Sequence, residues 1–260
     1  MNRLFRTFFI FLLLLSTRSG FATTFDSPNE VKDSRHFAER RAFNKNLAGL
    51  QALSSTPSQA IHQPIADFDQ LYANAHNAQE ELGNMLSKLN AQQQYELQLP
   101  GIKSYERAAQ KVATKFDGDA SRITDLARAT IVADDIHSVM MAFESLSEQA
   151  NIVQVKNRFA APKASGYRDL NLLVQLPKTD MIAEVQLHLK AIAEIKSGDE
   201  HLVYEAVQAI ETAAKQQNRA LNDIELAKIT QLRQSSHKLY HKAWLYYKRI
   251  DGANLIEAAA

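Results

Sequence analysis

The chain has 260 residues and no cysteine, and its 30 lysines and arginines almost balance its 29 aspartates and glutamates, giving a formal net charge of +1. This balance excludes a global attraction to nucleic acid or to an anionic membrane, so any cationic site must be local. The absence of cysteine excludes a disulfide framework and any thiolate metal site.

The first residues have the features of an export signal. A short basic start is followed by the apolar run FFIFLLLL over residues 8–15, and small residues stand around Ala22. An apolar run of about ten residues is too short to span a bilayer, which takes about 20 helical residues. We therefore predict a signal peptide over residues 1–22, cleaved near Ala22, and an exported (periplasmic or secreted) mature protein with no stable membrane anchor after cleavage.

Helical patterns dominate the first half of the mature chain. Residues 23–63 are predicted to form a linker and an N-terminal helix. Between residues 67 and 89 apolar residues recur in steps of three and four, which predicts a long amphipathic helix. Ser104 is predicted to cap a further helix that ends near Phe116.

One side of this further helix is cationic. Basic residues recur there in steps of four, and a helix stacks them into one stripe: Lys103, Arg107 and Lys111. A stripe of this kind is commonly a solvated helix face. It becomes a candidate anion-binding surface when other cations lie near it.

The second half of the chain alternates strands and helices. Strands are predicted at 125–133, around 152–156, in a segment ending at 176, and at 181–189, with a helix at 136–146 after the first. Further helices are predicted at roughly 190–197, 201–217 and 223–249. Connections of both helical and short-turn type predict a mixed β-sheet flanked by helices, in an α/β or α+β domain with long N- and C-terminal helices. We place this domain at residues 64–217 and a C-terminal helical extension at 218–260.

Two acids lie within predicted strands. Asp125 opens DLARATIV, and Glu184 lies inside MIAEVQLHL with Gln186 on the same face of the strand. A buried acid is costly unless it is paired or binds a cation. If the two strands are neighbours, the carboxylates converge and offer the oxygen ligands that Mg²⁺ prefers when it also holds phosphates. Alternatively, Asp125 caps its strand and Glu184 pairs with Lys190 or Arg168.

The loop RFAAPKASGYRDL before the third of these strands is a second candidate. Its Tyr167 follows a glycine and offers a flat face of the kind that stacks on a base. Lys156, Lys163 and Arg168 lie in or beside the loop and, with the stripe, give six cations near the sheet. Taken alone, the loop could equally be a hairpin corner with a packing tyrosine. Two acids, a cationic surround and a stacking ring together are typical of transfer of a phosphate-containing group between nucleotides.

Five segments in order make this hypothesis more specific. They are GIKSYERAAQKV (101–112), ITDLARATIV (123–132), VKNRFAAPKASGYRDL (155–170), AEVQLHL (183–189) and AE…HLVY (193–204). Together they resemble the synthetase domain of the RelA/SpoT family, the enzymes that make the alarmone (p)ppGpp. The resemblance implies a nucleotidyltransferase-like mixed β-sheet flanked by helices. It also implies transfer of the β,γ-diphosphate of ATP to the 3′-hydroxyl of GDP or GTP, with release of AMP.

The resemblance also implies roles for individual residues. Asp125 and Glu184 correspond to the acidic Mg²⁺ ligands, and Glu184 also to a group that helps activate the attacking hydroxyl. Tyr167 corresponds to the ring that stacks on the acceptor guanine. The other nucleotide-binding residues implied by the motifs are Lys103, Ser104, Lys156, Lys163, Gln186 and His201. We add Arg107 and Lys111 from the cationic stripe and Arg168 from the loop.

The sequence departs from the family pattern around the nucleotide subsites. Gly101 stands where an arginine is usual, and Thr130 takes the arginine position of the strand motif, while Arg128 lies on the same strand face and could serve the same pocket. Arg168 and Asp169 follow the Gly-Tyr pair where the family commonly has Gln and Ser. These differences leave the acceptor nucleotide open. The family's hydrolase motif is absent from the sequence, which predicts a stand-alone synthetase.

Three functions follow as hypotheses. The first is a pyrophosphokinase that uses ATP and GDP or GTP to make an alarmone-type nucleotide. The second is an exported toxin or effector that modifies adenine nucleotides or RNA ends inside a target cell, where ATP is available. The third is a catalytically silent nucleotide-binding module. DNA is not an expected partner of any of them.

Overall fold

The computed structural model describes residues 47–56, 60–93 and 95–257. The predicted signal peptide at 1–22 and most of the predicted linker and N-terminal helix lie outside these residues. Within the described ranges, none of the helices combines the length and the apolar character that crossing a membrane requires.

A five-stranded sheet forms the centre of the fold. Its strands are β1 (Glu96–Gln98), β2 (Arg128–Ala133), β3 (Asn151–Asn157), β4 (Leu170–Gln175) and β5 (Ile182–Leu189). They lie in the order β1-β2-β5-β4-β3. The β2–β5 pair is parallel and the other neighbouring pairs are antiparallel. The predicted mixed sheet is confirmed. The short edge strand β1 was not predicted, and β2 begins three residues later than expected.

Residues 47–52 are helical, and six further α-helices of the described chain follow them: α1 (Phe68–Gln93), α2 (Tyr105–Lys115), α3 (Ile136–Gln149), α4 (Lys190–Ser197), α5 (Glu200–Gln216) and α6 (Asp223–Glu257). A 3₁₀ turn spans Ala120–Arg122. The Ser104 hydroxyl caps α2 by accepting from the Arg107 N–H at 3.4 Å. At the start of α6, the Asn222 and Glu225 side chains each accept from the other's backbone N–H at 2.9 Å, which is a capping-box arrangement.

Strand alternation gives the sheet one apolar and one polar face. Residues such as Ala129, Ile131 and Val185 are buried in the same core as Leu71 of α1 and Val139 of α3. The residues between them point the other way, and the strand register places them in rows. Arg128 of β2 is opposite Glu184 of β5, Thr130 is opposite Gln186, Gln186 is opposite Asn171 of β4, and Asn171 is opposite Lys156 of β3. The sheet therefore collects this row of polar side chains on one face, while Asn157 of β3 is buried on the other and donates to the Leu50 carbonyl.

Candidate active site

The polar face of the sheet borders a cleft of about 610 Å³. Cations outnumber acids in its lining, which contains two carboxylates, Glu184 and Glu200, and six cationic side chains: Lys111, Lys115, Arg128, Arg158, Lys163 and Lys196. A chain of net charge +1 therefore concentrates positive charge at one place. A concave cationic surface of this kind attracts polyanions such as phosphates.

Glu184 is held in a chain of side chains that crosses the cleft. Gln186 Nε2 donates to Glu184 Oε1 at 2.9 Å, and Lys196 Nζ donates to Gln186 Oε1 at 2.7 Å. Burial lowers the pKa of Lys196, although the carboxylates of Asp169 and Glu184 partly oppose this shift. These two hydrogen bonds orient one carboxylate oxygen of Glu184 and hold the Lys196 ammonium group within the cleft. The predicted Gln186 thus lines the cleft, as does His201, whose Nε2 lies 3.2 Å from Glu205 Oε1.

Asp125 lies at the approach to β2 and is bound by two lysines of the predicted stripe. Its Oδ2 is 2.7 Å from Lys111 Nζ and 3.2 Å from Lys103 Nζ. Its Oδ1 is buried and has no hydrogen-bond partner. Glu184 is opposite Arg128 in the β2–β5 ladder, whereas Asp125 precedes β2, lies outside this ladder and does not line the cleft. Lys111 links them, because it binds Asp125 and also lines the cleft.

The ion pairs of Asp125 predict a specific pH dependence of stability. Burial alone would raise the pKa of Asp125, but Lys111 and Lys103 outweigh burial and lower it. A carboxylate with a lowered folded-state pKa contributes stability above its unfolded value of about 3.9 and loses it as the pH falls through the folded value. We expect Asp125→Asn to flatten the decline in the free energy of unfolding below about pH 4. Urea titrations from pH 3 to 7 check this. If the free energy of unfolding of Asp125→Asn declined as steeply below about pH 4 as that of the wild type, the prediction would be wrong.

A buried network lies beneath the loop between β3 and β4. The Arg158 guanidinium donates to both oxygens of Asp169, at 2.7 and 3.0 Å, and Asp169 is completely buried. The Tyr167 hydroxyl is 2.8 Å from Asp169 Oδ2 and 2.6 Å from His188 Nε2. Since a carboxylate only accepts, Tyr167 donates to Asp169 and the His188 Nε2–H donates to Tyr167. Burial, with the charges of Lys196 and Arg158, holds the pKa of His188 well below its usual value, so this histidine is neutral.

Tyr167 lines the cleft, but its ring is largely covered. Only 7% of the residue is exposed, and the Lys163 ammonium lies 5.1 Å from the ring centroid. The ring of Tyr240 meets it edge-on at 5.6 Å. The ring would therefore present a face to a base only after Lys163 moves aside.

Several predicted nucleotide-binding residues lie elsewhere. Four of them do not line the cleft: Lys103, Ser104, Arg107 and Lys156. Ser104 caps α2, and both Ser104 and Arg107 are exposed. Arg168, also predicted to bind nucleotide, does not line the cleft either. Its guanidinium donates to the Phe159 carbonyl at 2.7 Å and lies 5.0 Å from the Trp244 ring centroid. Neighbouring residues of an extended segment point to opposite sides, so Tyr167 turns to the cleft and Arg168 turns to α6.

The cleft also contains residues that the sequence reasoning missed. Lys115 continues the helical stripe by one more step of four after Lys111, and Arg158 follows Lys156 by two, directly after the end of β3, so periodicity could have found both. Asn171 lies opposite Gln186 in the β4–β5 pairing, and this register is not visible in the local pattern. Lys196, Glu200, Tyr204 and Tyr240 come from α4, α5 and α6, and no local pattern marks them.

The backbone of the loop passes very close to α6 at Gly166. This glycine has φ +79°, and a Cβ placed on it would lie 3.1 Å from His237 Cα. We expect Gly166→Ala to lower the free energy of unfolding by more than the ~1–2 kcal/mol that a left-handed alanine costs by itself. Gly118→Ala is the matched control, because Gly118 has φ +87° with nothing within 4 Å of the added atom. Equal losses for the two variants in urea unfolding would show that His237 imposes no additional constraint.

Comparisons with known proteins bear on this site. Residues 101–209 match the family model described as a region found in RelA/SpoT proteins. The fold resembles that of a GTP pyrophosphokinase family protein from Streptococcus pneumoniae, with a TM-score of 0.50 and 18% identity over 72% of this chain and 96% of that one. No curated protein matches the chain.

Two further solved structures are similar at a slightly lower level. Small alarmone synthetase 1 from Bacillus subtilis, bound to its product pppGpp, gives a TM-score of 0.49 and 15% identity over 70% of this chain and 97% of that one. The Type VI effector Tas1, in complex with its immunity protein, gives 0.49 and 22% over 67% and 94%. The family match covers all five sequence motifs and the helices and strands that line most of the cleft. Residues 101–209 are therefore similar to the region found in RelA/SpoT proteins, and the chain folds as a mixed β-sheet flanked by helices.

Proposed function

We propose that the protein is a nucleotide pyrophosphokinase that transfers the β,γ-diphosphate of ATP to the 3′-hydroxyl of GDP, GTP or a related nucleotide. The observation that carries the proposal is the cleft in the region similar to RelA/SpoT proteins, in which six cations surround the oriented carboxylate of Glu184. A cleft that must hold two polyphosphates together needs this excess of positive charge, because the phosphates repel each other.

The chemistry asked of the chain is mainly positioning and charge neutralisation. The acceptor 3′-oxygen attacks the β-phosphorus of ATP, and its proton passes to Glu184. The bond from the β-phosphorus to the oxygen that bridges it to the α-phosphorus breaks, and AMP leaves. Lys111, Lys115 and Lys196 are placed to neutralise charge on the phosphates. Gln186 holds the Glu184 carboxylate in one orientation.

The residues present fit a magnesium ion that also binds phosphates. Asp125 Oδ1 is buried without a partner, as expected of an oxygen whose remaining ligand is a cation, and Glu184 faces the cleft. No group of three His, Cys, Asp or Glu side chains among the described residues could hold a metal. Mg²⁺ commonly binds one or two carboxylates together with substrate phosphates and water. Asp125 and Glu184 would hold it here, and the ion would supply further charge neutralisation.

The test is direct label transfer. The mature protein is incubated with Mg²⁺ and γ-labelled ATP together with GDP, GTP, ADP or tRNA, and the products are separated. Label in one acceptor, with release of AMP, supports the proposal and identifies the acceptor. Label in none of them, from a protein that is folded by circular dichroism, would overturn it in favour of a silent binding module.

We also propose export, on the basis of the N-terminal sequence alone. An exported enzyme that consumes ATP would find its substrate inside a target cell, so a role as an effector accompanies this proposal. Cell fractionation and N-terminal sequencing of the native protein test it. A mature chain beginning after Ala22 in the periplasm or medium is the expected result, and an intact Met1 in the cytoplasm would contradict it.

A further inference from the structure

The C-terminal helix α6 lies outside the matched region, yet one of its faces packs along the wall of the cleft. This face consists of His237, Tyr240, Trp244 and Tyr247, spaced by three and four residues as helix neighbours are. The last three are almost completely buried, at 1%, 3% and 5% exposure. Side chains of this size determine where the elements that they touch can lie.

Each of these residues contacts a different part of the site. Trp244 lies 5.5 Å from the Phe159 ring, at the beginning of the loop between β3 and β4. The Tyr247 hydroxyl accepts from the Ala191 N–H at 2.9 Å, in the first turn of the helix that carries Lys196. His237 lies against Gly166, near the end of the same loop. The face of α6 thus follows the loop from one end to the other.

Tyr240 is the member of this face that reaches the cleft itself. Its ring meets Tyr167 edge-on, and its hydroxyl donates to Glu200 Oε2 at 2.8 Å. Both of these partners line the cleft. Glu200 is only 8% exposed, and Tyr240 is the side chain that hydrogen-bonds to its carboxylate within the described chain.

Side chains, not backbone hydrogen bonds, connect the tip of the loop to distant parts of the chain. The backbone hydrogen bonds described there stay within the loop and its stem: Ala161 N–H to Asn157, Lys163 N–H to Tyr167 and Gly166 N–H to Lys163. These bonds shape the turn but do not tie it to the sheet. The Tyr167 side chain is tied to the sheet by its hydrogen bond with His188 of β5, and Tyr240 of α6 adds a second long-range contact, on the Tyr167 ring.

We infer that Tyr240 is a positioning residue, through which α6 sets the geometry of Tyr167, Lys163 and Glu200 on the acceptor side of the cleft. The effect on substrate kinetics rests on the proposed function. The effect on the mobility of the loop rests on the contacts alone. The ring of Tyr240 fixes the loop, and its hydroxyl fixes the Glu200 carboxylate. Two substitutions separate these roles, since Tyr240→Phe removes only the hydroxyl and Tyr240→Ala removes both.

The structural readout is amide hydrogen exchange in the full chain without ligand. In Tyr240→Ala we expect the amides of Lys163 and Gly166 to exchange at least tenfold faster, with the amides of β5 unchanged. In Tyr240→Phe, loop protection should be kept. Tyr246→Ala is the matched control, because Tyr246 lies on the same helix and is 59% exposed. Fluorescence of Trp244, the single tryptophan of the chain, verifies that α6 remains docked.

The kinetic readout compares the change in KM for the acceptor with the change in KM for ATP. Both Tyr240 variants are expected to raise the KM for the acceptor at least fivefold while the KM for ATP changes less than twofold. Unchanged loop exchange in a folded Tyr240→Ala variant would overturn the inference, as would equal loosening of the loop and of β5. Wild-type protein that transfers nothing, together with selective loosening of the loop, would refute the proposed reaction and leave the positioning role supported. Active variants with wild-type KM values would refute the role of Tyr240 alone.

Discussion

Glu184→Gln is expected to lower the rate of diphosphate transfer by about 10²–10⁴-fold, the range typical of a lost general base. Glutamine has the same shape and can keep a hydrogen bond with Gln186, so the fold and the cationic lining should survive. What is lost is the carboxylate that accepts the hydroxyl proton and would bind the metal. The assay is initial-rate label transfer at saturating ATP and acceptor.

Glu148→Gln is the control for this substitution. Glu148 is exposed on α3 and does not line the cleft, so the same chemical change there should leave the rate within twofold of wild type. A Glu184→Gln variant that keeps more than a tenth of the wild-type rate would contradict the assignment of Glu184.

Arg158→Met is expected to cause the largest loss of stability among single substitutions at the site. Asp169 has no exposed side-chain surface, and the side chain of Arg158 is 20% exposed. Removing the guanidinium leaves a buried carboxylate without its cation, which typically costs about 3–5 kcal/mol. Urea unfolding followed by circular dichroism measures the loss. Transfer activity should fall as well, because Arg158 lines the cleft.

The double variant Arg158→Met/Asp169→Asn separates the two effects. A neutral amide removes the uncompensated charge and can still accept from the Tyr167 hydroxyl, so most of the stability should return. Activity should not return, since the cleft still lacks a cation. If the double variant is no more stable than Arg158→Met, the buried charge is not the cause of the loss.

The sequence predicted well those parts of the site that depend on strand alternation. Arg128 and Thr130, and likewise Glu184 and Gln186, are two residues apart, and the structure places all four on the cleft face. A period of two fixes which residues share a face without any knowledge of what packs on it. The mixed character of the sheet was predicted separately, from connections of both helical and short-turn type between the strands.

The helical stripe was predicted only in part. Three of its four basic positions lie in α2, where Lys111 and Lys115 reach the cleft and Arg107 is exposed. Lys103 precedes the helix and binds Asp125. Periodicity shows which residues share a helix face. The angle at which the helix crosses the sheet decides which turns of that face are near the site, and tertiary packing sets this angle.

Contacts between distant segments could not be predicted from local patterns. Asp169 was expected near the nucleotide, but it is buried beneath the loop, where it binds Arg158 and orders Tyr167. Strand alternation puts His188 on the polar face of β5. Its hydrogen bond to Tyr167, however, joins it to the loop between β3 and β4, which no local pattern indicates. Glu200 and Tyr240 are 40 residues apart, and only the fold brings them together.

We propose above that the cationic cleft in the region similar to RelA/SpoT proteins transfers a diphosphate from ATP. The most direct test is the nucleotide by-product of a single-turnover reaction with the acceptor found by label transfer, analysed by mass spectrometry. We expect AMP in an amount equal to the acceptor that has gained two phosphates, and almost none of either product from Glu184→Gln in the time of one wild-type turnover. ADP with an acceptor that has gained one phosphate, or AMP formed equally by Glu184→Gln, would contradict it.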